Sequence, residues 1–160
     1  MKLTVDEAFR RYGDRVFTAA FQLCRSREDA DDVVQDTFLR YHTTQMNYES
    51  EEHIKAWLLR TAINRSKDLL KSFWRVHTTP WEDYMNELEF VQPEDKGLFE
   101  AVMKLQKKYR IVVHLFYYEE YSVEEIGKIL RLPTGTVKSQ LNRARKLLKN
   151  ELMEEWENEE

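Results

Sequence analysis

Cysteine is almost absent from this chain. Cys24 is the single one in 160 residues, so no intramolecular disulfide and no cysteine-built zinc site can form, and a reducing cytoplasm suits the sequence. Packing in a helical interior is the expectation for its thiol. Long apolar runs are also missing. None approaches the roughly 20 residues of a membrane span, and the amino-terminal stretch has no signal-peptide pattern. With three prolines and four glycines there is little punctuation, and no alternating strand pattern of useful length occurs. The class expected is therefore all-α.

Charge is abundant but unevenly laid out. The formal net charge is −4, which by itself argues against nucleic acid as a partner. Yet 135–149 and 55–75 are strongly basic, whereas 82–100 and 151–160 are strongly acidic. Blocks of opposite sign fit local contact with nucleic acid, combined with an acidic linker and an acidic tail.

The most informative stretch is Ser122–Lys149. Ser122 caps a helix and Glu125, three residues on, completes a capping box. Val123, Ile126 and Leu130 follow at helical spacing. Leu132-Pro133-Thr134-Gly135 then breaks the pattern, with Gly135 expected to supply the turn's backbone freedom. A second helix follows, its apolar stripe made by Val137, Leu141, Ala144 and Leu148. Gly127 stands about where this helix must cross the first, and a side chain there would hold the two apart. The other side of the second helix carries Thr136, Lys138, Ser139, Asn142, Arg143, Arg145, Lys146 and Lys149, and no acid interrupts it between Gly135 and Asn150. A helix-turn-helix with a one-sided basic second helix is the footprint of duplex recognition.

Upstream, Thr4 begins a first helix with Glu7 as its capping-box partner. Val5, Ala8, Tyr12, Val16, Ala19 and Leu23 form its inner face, widened by Phe9 and Phe17. Ser26 caps a second helix, in which Ala30, Val33, Val34 and Phe38 face inward. Asp32, Gln35, Asp36 and Leu39, joined by Asp29, make an acidic, partly apolar face. Spacing alone leaves this face open between an ordinary solvated surface and a dock for a basic protein. After a polar connector (41–52), a third helix is expected over about 51–74. Ile54, Trp57, Leu58, Ala62 and Leu69 are its buried stripe, with Trp57 as a core anchor. Lys55, Arg60, Asn64, Arg65, Lys67 and Lys71 spread along it. Phe73 and Trp74 near its end suit packing at a domain boundary or stacking on unpaired bases.

The segment 76–97 holds two of the three prolines and a cluster of acids, and reads as a flexible linker. It separates two small helical domains, 1–75 and 98–160. The second opens with 98–105 and 107–119, where Leu98, Val102, Leu105, Ile111, Val112, Leu115 and Phe116 are its core candidates. The tail after Lys149 is expected to extend the last helix and then fray, because acids at a helix C-terminus oppose its dipole.

Three stretches together resemble the extracytoplasmic-function (ECF) group of bacterial sigma factors, within the sigma-70 family. DADDVVQDTFLRYH (29–42) is similar to region 2.2, with Asp32, Gln35 and Phe38 at its spacing. IKAWLLRTAINRSKDLLKSFWR (54–75) is similar to regions 2.3 and 2.4 through Trp57-Leu58, Asn64 and Asp68. Tyr109–Leu148 is similar to region 4, most specifically through Gly135-Thr136-Val137-Lys138-Ser139 and Arg143-Ala144-Arg145. There are departures: Gln106 stands where the family often has proline, Arg131 where it often has glycine, and Gln140 where it often has arginine.

The resemblance implies a promoter-specificity subunit rather than an enzyme, with no cofactor, no metal and no small-molecule substrate. Its partners would be core RNA polymerase, promoter DNA and an anti-sigma factor, often membrane-linked, that holds activity off until a stress signal arrives. Asp29, Asp32, Gln35, Asp36 and Leu39 would dock on the polymerase. Arg60, Asn64, Arg65, Lys67 and Lys71 would serve the −10 element and its melting. On the recognition helix, Lys138, Ser139, Asn142 and Arg143 would approach −35 base edges, and Arg145, Lys146 and Lys149 would mainly meet phosphates. The terminal motif alone would also allow a stand-alone regulator that binds palindromes without polymerase. An enzyme acting on DNA is disfavoured by four scattered histidines and the lack of a nucleophile cluster at motif spacing.

Overall fold

The computed structural model describes residues 1–72 and 96–159, and the side chains of 1–71 and 97–153. The expectations about Phe73, Trp74 and most of the linker lie outside these residues. The chain divides into two compact units, 1–79 and 80–160. All regular structure in the described residues is helical.

In the first unit, α1 (Val5–Cys24), α2 (Arg27–Thr43) and α3 (Glu51–Ser72) pack against one another pairwise. The Thr4 hydroxyl accepts the Glu7 N–H at 3.2 Å, but Glu7 does not close the expected capping box. Its carboxylate is held by Arg11 at 2.8 Å instead, and Arg11 also reaches Glu51 on α3. Ser26 caps α2 by accepting from Asp29 N–H at 3.3 Å. Ala30, Val33, Val34 and Phe38 are buried as expected.

The connector after α2 is less polar than its composition suggests. Tyr48 is 1% exposed and packs with Tyr41 and Trp57 at ring-centroid distances of 5.7 and 6.1 Å. Burial raises the pKa of both tyrosines. The Tyr41 hydroxyl donates to Leu3 O at 2.7 Å, tying the segment before α1 to α2. A Cβ at Gly13 would make only ordinary van der Waals contact, at 3.4 Å, with the ring of Phe9, which meets Phe38 edge-on at 5.2 Å. Phe9 itself remains exposed.

The second unit contains α4 (Lys96–Met103), α5 (Lys107–Val113), a π-helical turn (His114–Tyr118), α6 (Val123–Leu130) and α7 (Thr134–Glu159). Val102, Leu105, Val113 and Ala144 form a buried cluster flanked by Tyr109, Leu147 and Leu148. Leu98, expected inside, is exposed. Arg110 is buried, and its guanidinium donates to Leu105 O at 2.6 Å, closing the bend between α4 and α5. Gln106 has φ −63°, the angle a proline ring would fix, so this departure from the family pattern leaves the bend's backbone unaltered. The tail extends the final helix to Glu159, as expected. Glu151 is paired with Lys104 at 2.7 Å, which draws one acid of the tail onto α4.

Candidate nucleic-acid interface

The start of α6 follows the sequence closely. Ser122 Oγ accepts from Glu125 N–H at 3.1 Å, and the Glu125 carboxylate accepts from Ser122 N–H at 3.0 Å. Both halves of the capping box are present, and two otherwise orphaned donors are satisfied.

The turn to α7 corrects two expectations. The left-handed residue is Arg131, at φ 58°, not Gly135, which lies in the first turn of α7 with no positive φ. Arg131 occupies the position after a helix end where glycine is usual, at a cost of about 1 kcal/mol. Leu132 N–H donates to Gly127 O at 2.9 Å, the six-residue bond that reverses the chain. Gly127 is indeed needed for close approach, but to the turn rather than to the body of α7. A Cβ on it would sit 2.8 Å from the carbonyl oxygen of Leu132.

Helix α7 then presents its charges as the periodicity requires. Val137, Leu141 and Ala144 are buried and Leu148 is half-buried. Lys138, Ser139, Asn142, Arg143, Arg145, Lys146 and Lys149 are exposed, with Thr136 half-buried at the start. Gln140 lies on the edge of the core: its side-chain carbonyl is enclosed and has no hydrogen-bond partner among the described residues. Its departure from the family's arginine therefore changes the flank of the helix and not the centre of its exposed face.

Arg145 is the exception among the expected phosphate contacts. Its Nε donates to the Tyr117 hydroxyl at 2.7 Å. Its guanidinium carbon lies 5.5 and 5.7 Å from the ring centroids of Phe116 and Tyr117, within cation–π range. Its Nη1 donates to Asn142 Oδ1 at 3.2 Å. The group is thus turned toward the π-helical turn. The reading of the sequence missed Tyr117 and took Phe116 only as core. The signal was the run Phe116-Tyr117-Tyr118, three aromatics too many for one buried stripe.

Helix α3 carries the second set of expected residues. Arg60, Asn64 and Arg65 are half-buried, and Lys67 and Lys71 are exposed. Desolvation, followed by the Lys71 charge four residues on, lowers the pKa of Lys67 below the usual lysine value. Crowded cations of this kind gain when a phosphate arrives between them. Arg65 Nε is bound to Asp36 Oδ2 on α2 at 2.7 Å, so two surfaces read separately from the sequence share an edge. Lys55 is buried and does not belong to the solvent-facing set.

On α2, Asp32, Gln35 and Leu39 are exposed and Asp36 is half-exposed; Leu39 reaches 63%. Asp29 does not join them. It is 3% exposed, in the capped first turn of a helix that packs against both α1 and α3. The presented face is therefore Asp32, Gln35, Asp36 and Leu39, with exposed Phe9 of α1 as a further apolar side chain of this unit.

Among the described residues these features define a helical protein with a helix-turn-helix of cationic outer face in one unit and a cationic helix beside an acidic face in the other. The family model for sigma-70 region 2 matches residues 8–76, and that for sigma-70 region 4 matches 97–148. The ECF RNA polymerase sigma factor SigW of Bacillus subtilis is 27% identical, over 88% of this chain and 84% of its own. SigE of Mycolicibacterium smegmatis is 28% identical, over 92% of this chain and 61% of its own. The fold matches that of the sigma factor RpoE solved with the anti-sigma factor NepR from Bartonella quintana, with a TM-score of 0.68 and 20% identity over 92% of this chain and 96% of that one. The chain belongs to the sigma-70 family of RNA polymerase sigma factors, in its ECF group. Proteins of this family initiate transcription and are not enzymes. No helix among the described residues is long and apolar enough to cross a membrane.

Proposed function

We propose that this chain is a promoter-specificity subunit that joins core RNA polymerase in the cytoplasm and directs it to −35 and −10 elements. The observation that carries the reading is the exposed face of α7, uninterrupted by acids from Gly135 to Asn150 and set on a correctly capped helix-turn-helix. Lys138, Ser139, Asn142 and Arg143 approach base edges, where short polar and forked side chains can discriminate. Thr136, Lys146 and Lys149 set register through phosphates. In the first unit, Asp32, Gln35, Asp36 and Leu39 dock on a basic surface of the polymerase, with Asp36 steadied by Arg65. Arg60, Asn64, Lys67 and Lys71 attend the opening of the −10 element. Domain limits of 1–75 and 98–160 around an acidic linker accord with this division of labour. Control by an anti-sigma factor responding to stress is part of the proposal, supported by the RpoE–NepR pair that shares the fold.

The test is a pull-down of purified core RNA polymerase with the full chain, followed by run-off transcription from a promoter library. Stoichiometric binding with new, sequence-selective starts is expected. Absence of core binding together with tight binding to a palindromic duplex would overturn the proposal.

A further inference from the structure

Arg145 stands on the recognition helix but is engaged from the side. The Tyr117 hydroxyl accepts from its Nε at 2.7 Å, and the rings of Phe116 and Tyr117 lie against its guanidinium. A guanidinium only donates hydrogen bonds, so the atom of Asn142 that faces it at 3.2 Å must be the amide oxygen. The Asn142 NH2 group is then the end left for an outside partner. Asn142 is exposed and lies one turn beyond Lys138 and three residues beyond Ser139.

From this geometry we infer that Tyr117 and Arg145 are positioning residues for base readout: they fix the amide of Asn142 so that it offers donors to DNA. The inference rests on the sigma-factor reading above. Its chemical content is a base preference. An asparagine free to rotate pairs with adenine by accepting from N6 and donating to N7. With its oxygen held by Arg145, Asn142 favours an edge that presents acceptors alone, and guanine, with N7 and O6, presents two. Tyr117 therefore acts on sequence choice without touching a base, through the orientation it imposes on Arg145. A phosphate role for Arg145 makes a different prediction, because a phosphate contact carries no sequence information.

The discriminating variants are Arg145→Lys and Tyr117→Phe. Arg145→Lys keeps the charge but loses the planar fork that spans Tyr117 and Asn142. Tyr117→Phe removes only the hydroxyl. Full-length wild type and variants, each assembled with core polymerase, are used to enrich promoter duplexes randomised across the −35 region, and the salt dependence of binding is measured on the winning sequence. Both variants are expected to shift preference at one and the same base pair, with guanine over adenine falling about fivefold, the worth of roughly one hydrogen bond. The salt slope should stay that of wild type, because no charge is lost. Variants that enrich the wild-type sequence, or that weaken all sequences alike, would overturn the positioning role and leave the sigma-factor reading standing. A wild-type complex that enriches no sequence at all would overturn both.

Discussion

Two helices of this protein, α3 and α7, are rich in cations and were both expected to meet nucleic acid, yet they are built differently. In α3 the buried positions are Ile54, Lys55, Leu58, Leu59, Ala62, Ile63, Ser66 and Leu69, mostly adjacent pairs repeating every turn. In α7 they are Val137, Leu141 and Ala144, single residues repeating every turn. Helix α3 packs against both α1 and α2, so it buries a wide stripe and its polar groups are squeezed into the remainder, where Arg65 is paired to Asp36. Helix α7 packs against α4, α5 and α6 along a narrow stripe of single residues, and keeps its charges together on the outward face. Segregated charge suits a rigid reader of duplex grooves. Charge interleaved with packing ties the cationic surface to the bundle's own stability and to the acidic face beside it.

The comparison can be broken most forcefully from the core of α3. Leu58 is fully buried, and Leu58→Ala should cost about 2–5 kcal/mol. Denaturant titration should show that loss, and polymerase binding should fall while binding to −35 duplex persists. Retention of both would sever the link drawn between packing and docking. On α7, Arg143→Ala should lose about 1–3 kcal/mol of discrimination between promoter and random duplex if it makes a bidentate contact, whereas Lys149→Ala should weaken both equally. Competition binding separates the two patterns.

Acid offers a third lever, confined to the second unit. His114 is buried, and burial pushes its pKa from 6.5 down to about 3. Between those values the unfolded state binds the proton and the folded state does not. Stability is therefore fully present above about pH 6.5 and is lost as pH falls towards 3, by about 2 kcal/mol at pH 5. Urea midpoints for the second unit should carry this slope, and His114→Gln should flatten it. Gly127→Ala comes next. Helix propensity would gain about 1 kcal/mol, but the new Cβ meets a backbone carbonyl at 2.8 Å. Overpacking should win by about 1–2 kcal/mol, lowering the thermal midpoint; a higher one would show that the turn can yield. The smallest effect belongs to the Asp36–Arg65 pair. Both side chains are more than a third exposed, so solvent screens the pair and a double-mutant cycle should give under about 1 kcal/mol.

Much of this could be read from residue order. The Ser122–Glu125 box, the stripe Val137-Leu141-Ala144, and the inward face of α2 each depend on spacing within one helix, and spacing is visible in any sequence. Asp29 was misplaced because its burial depends on how α2 meets its neighbours. Lys55 was misplaced for the same reason, since the stripe that α3 buries against α1 and α2 is wide enough to enclose it. Leu98 was assigned inward by the apolar pattern of α4, but at the amino end of that helix it lines an open groove with Tyr117, Leu148 and Met153. Arg131 in the left-handed region could not be anticipated while Gly135, a better candidate by composition, stood four residues on. The hold of Tyr117 on Arg145 spans 28 positions and leaves no local trace.

The π-helical turn gives chain length itself a meaning. From His114 to Tyr118 the backbone spends one residue more than an α-helical turn would, and Glu119 N–H reaches back to His114 O at 3.1 Å. Such a bulge is in effect a one-residue insertion held inside a helix. Removing one residue there would let the segment relax into an ordinary helix, at the cost of rotating the downstream residues by about 100°. Tyr117 would then be carried away from Arg145 with its chemistry unaltered. Relatives that differ by a single residue in this segment would differ in the register of their aromatic brace even where every recognition-helix side chain is the same, so a deletion in a supporting helix could alter which promoters are chosen.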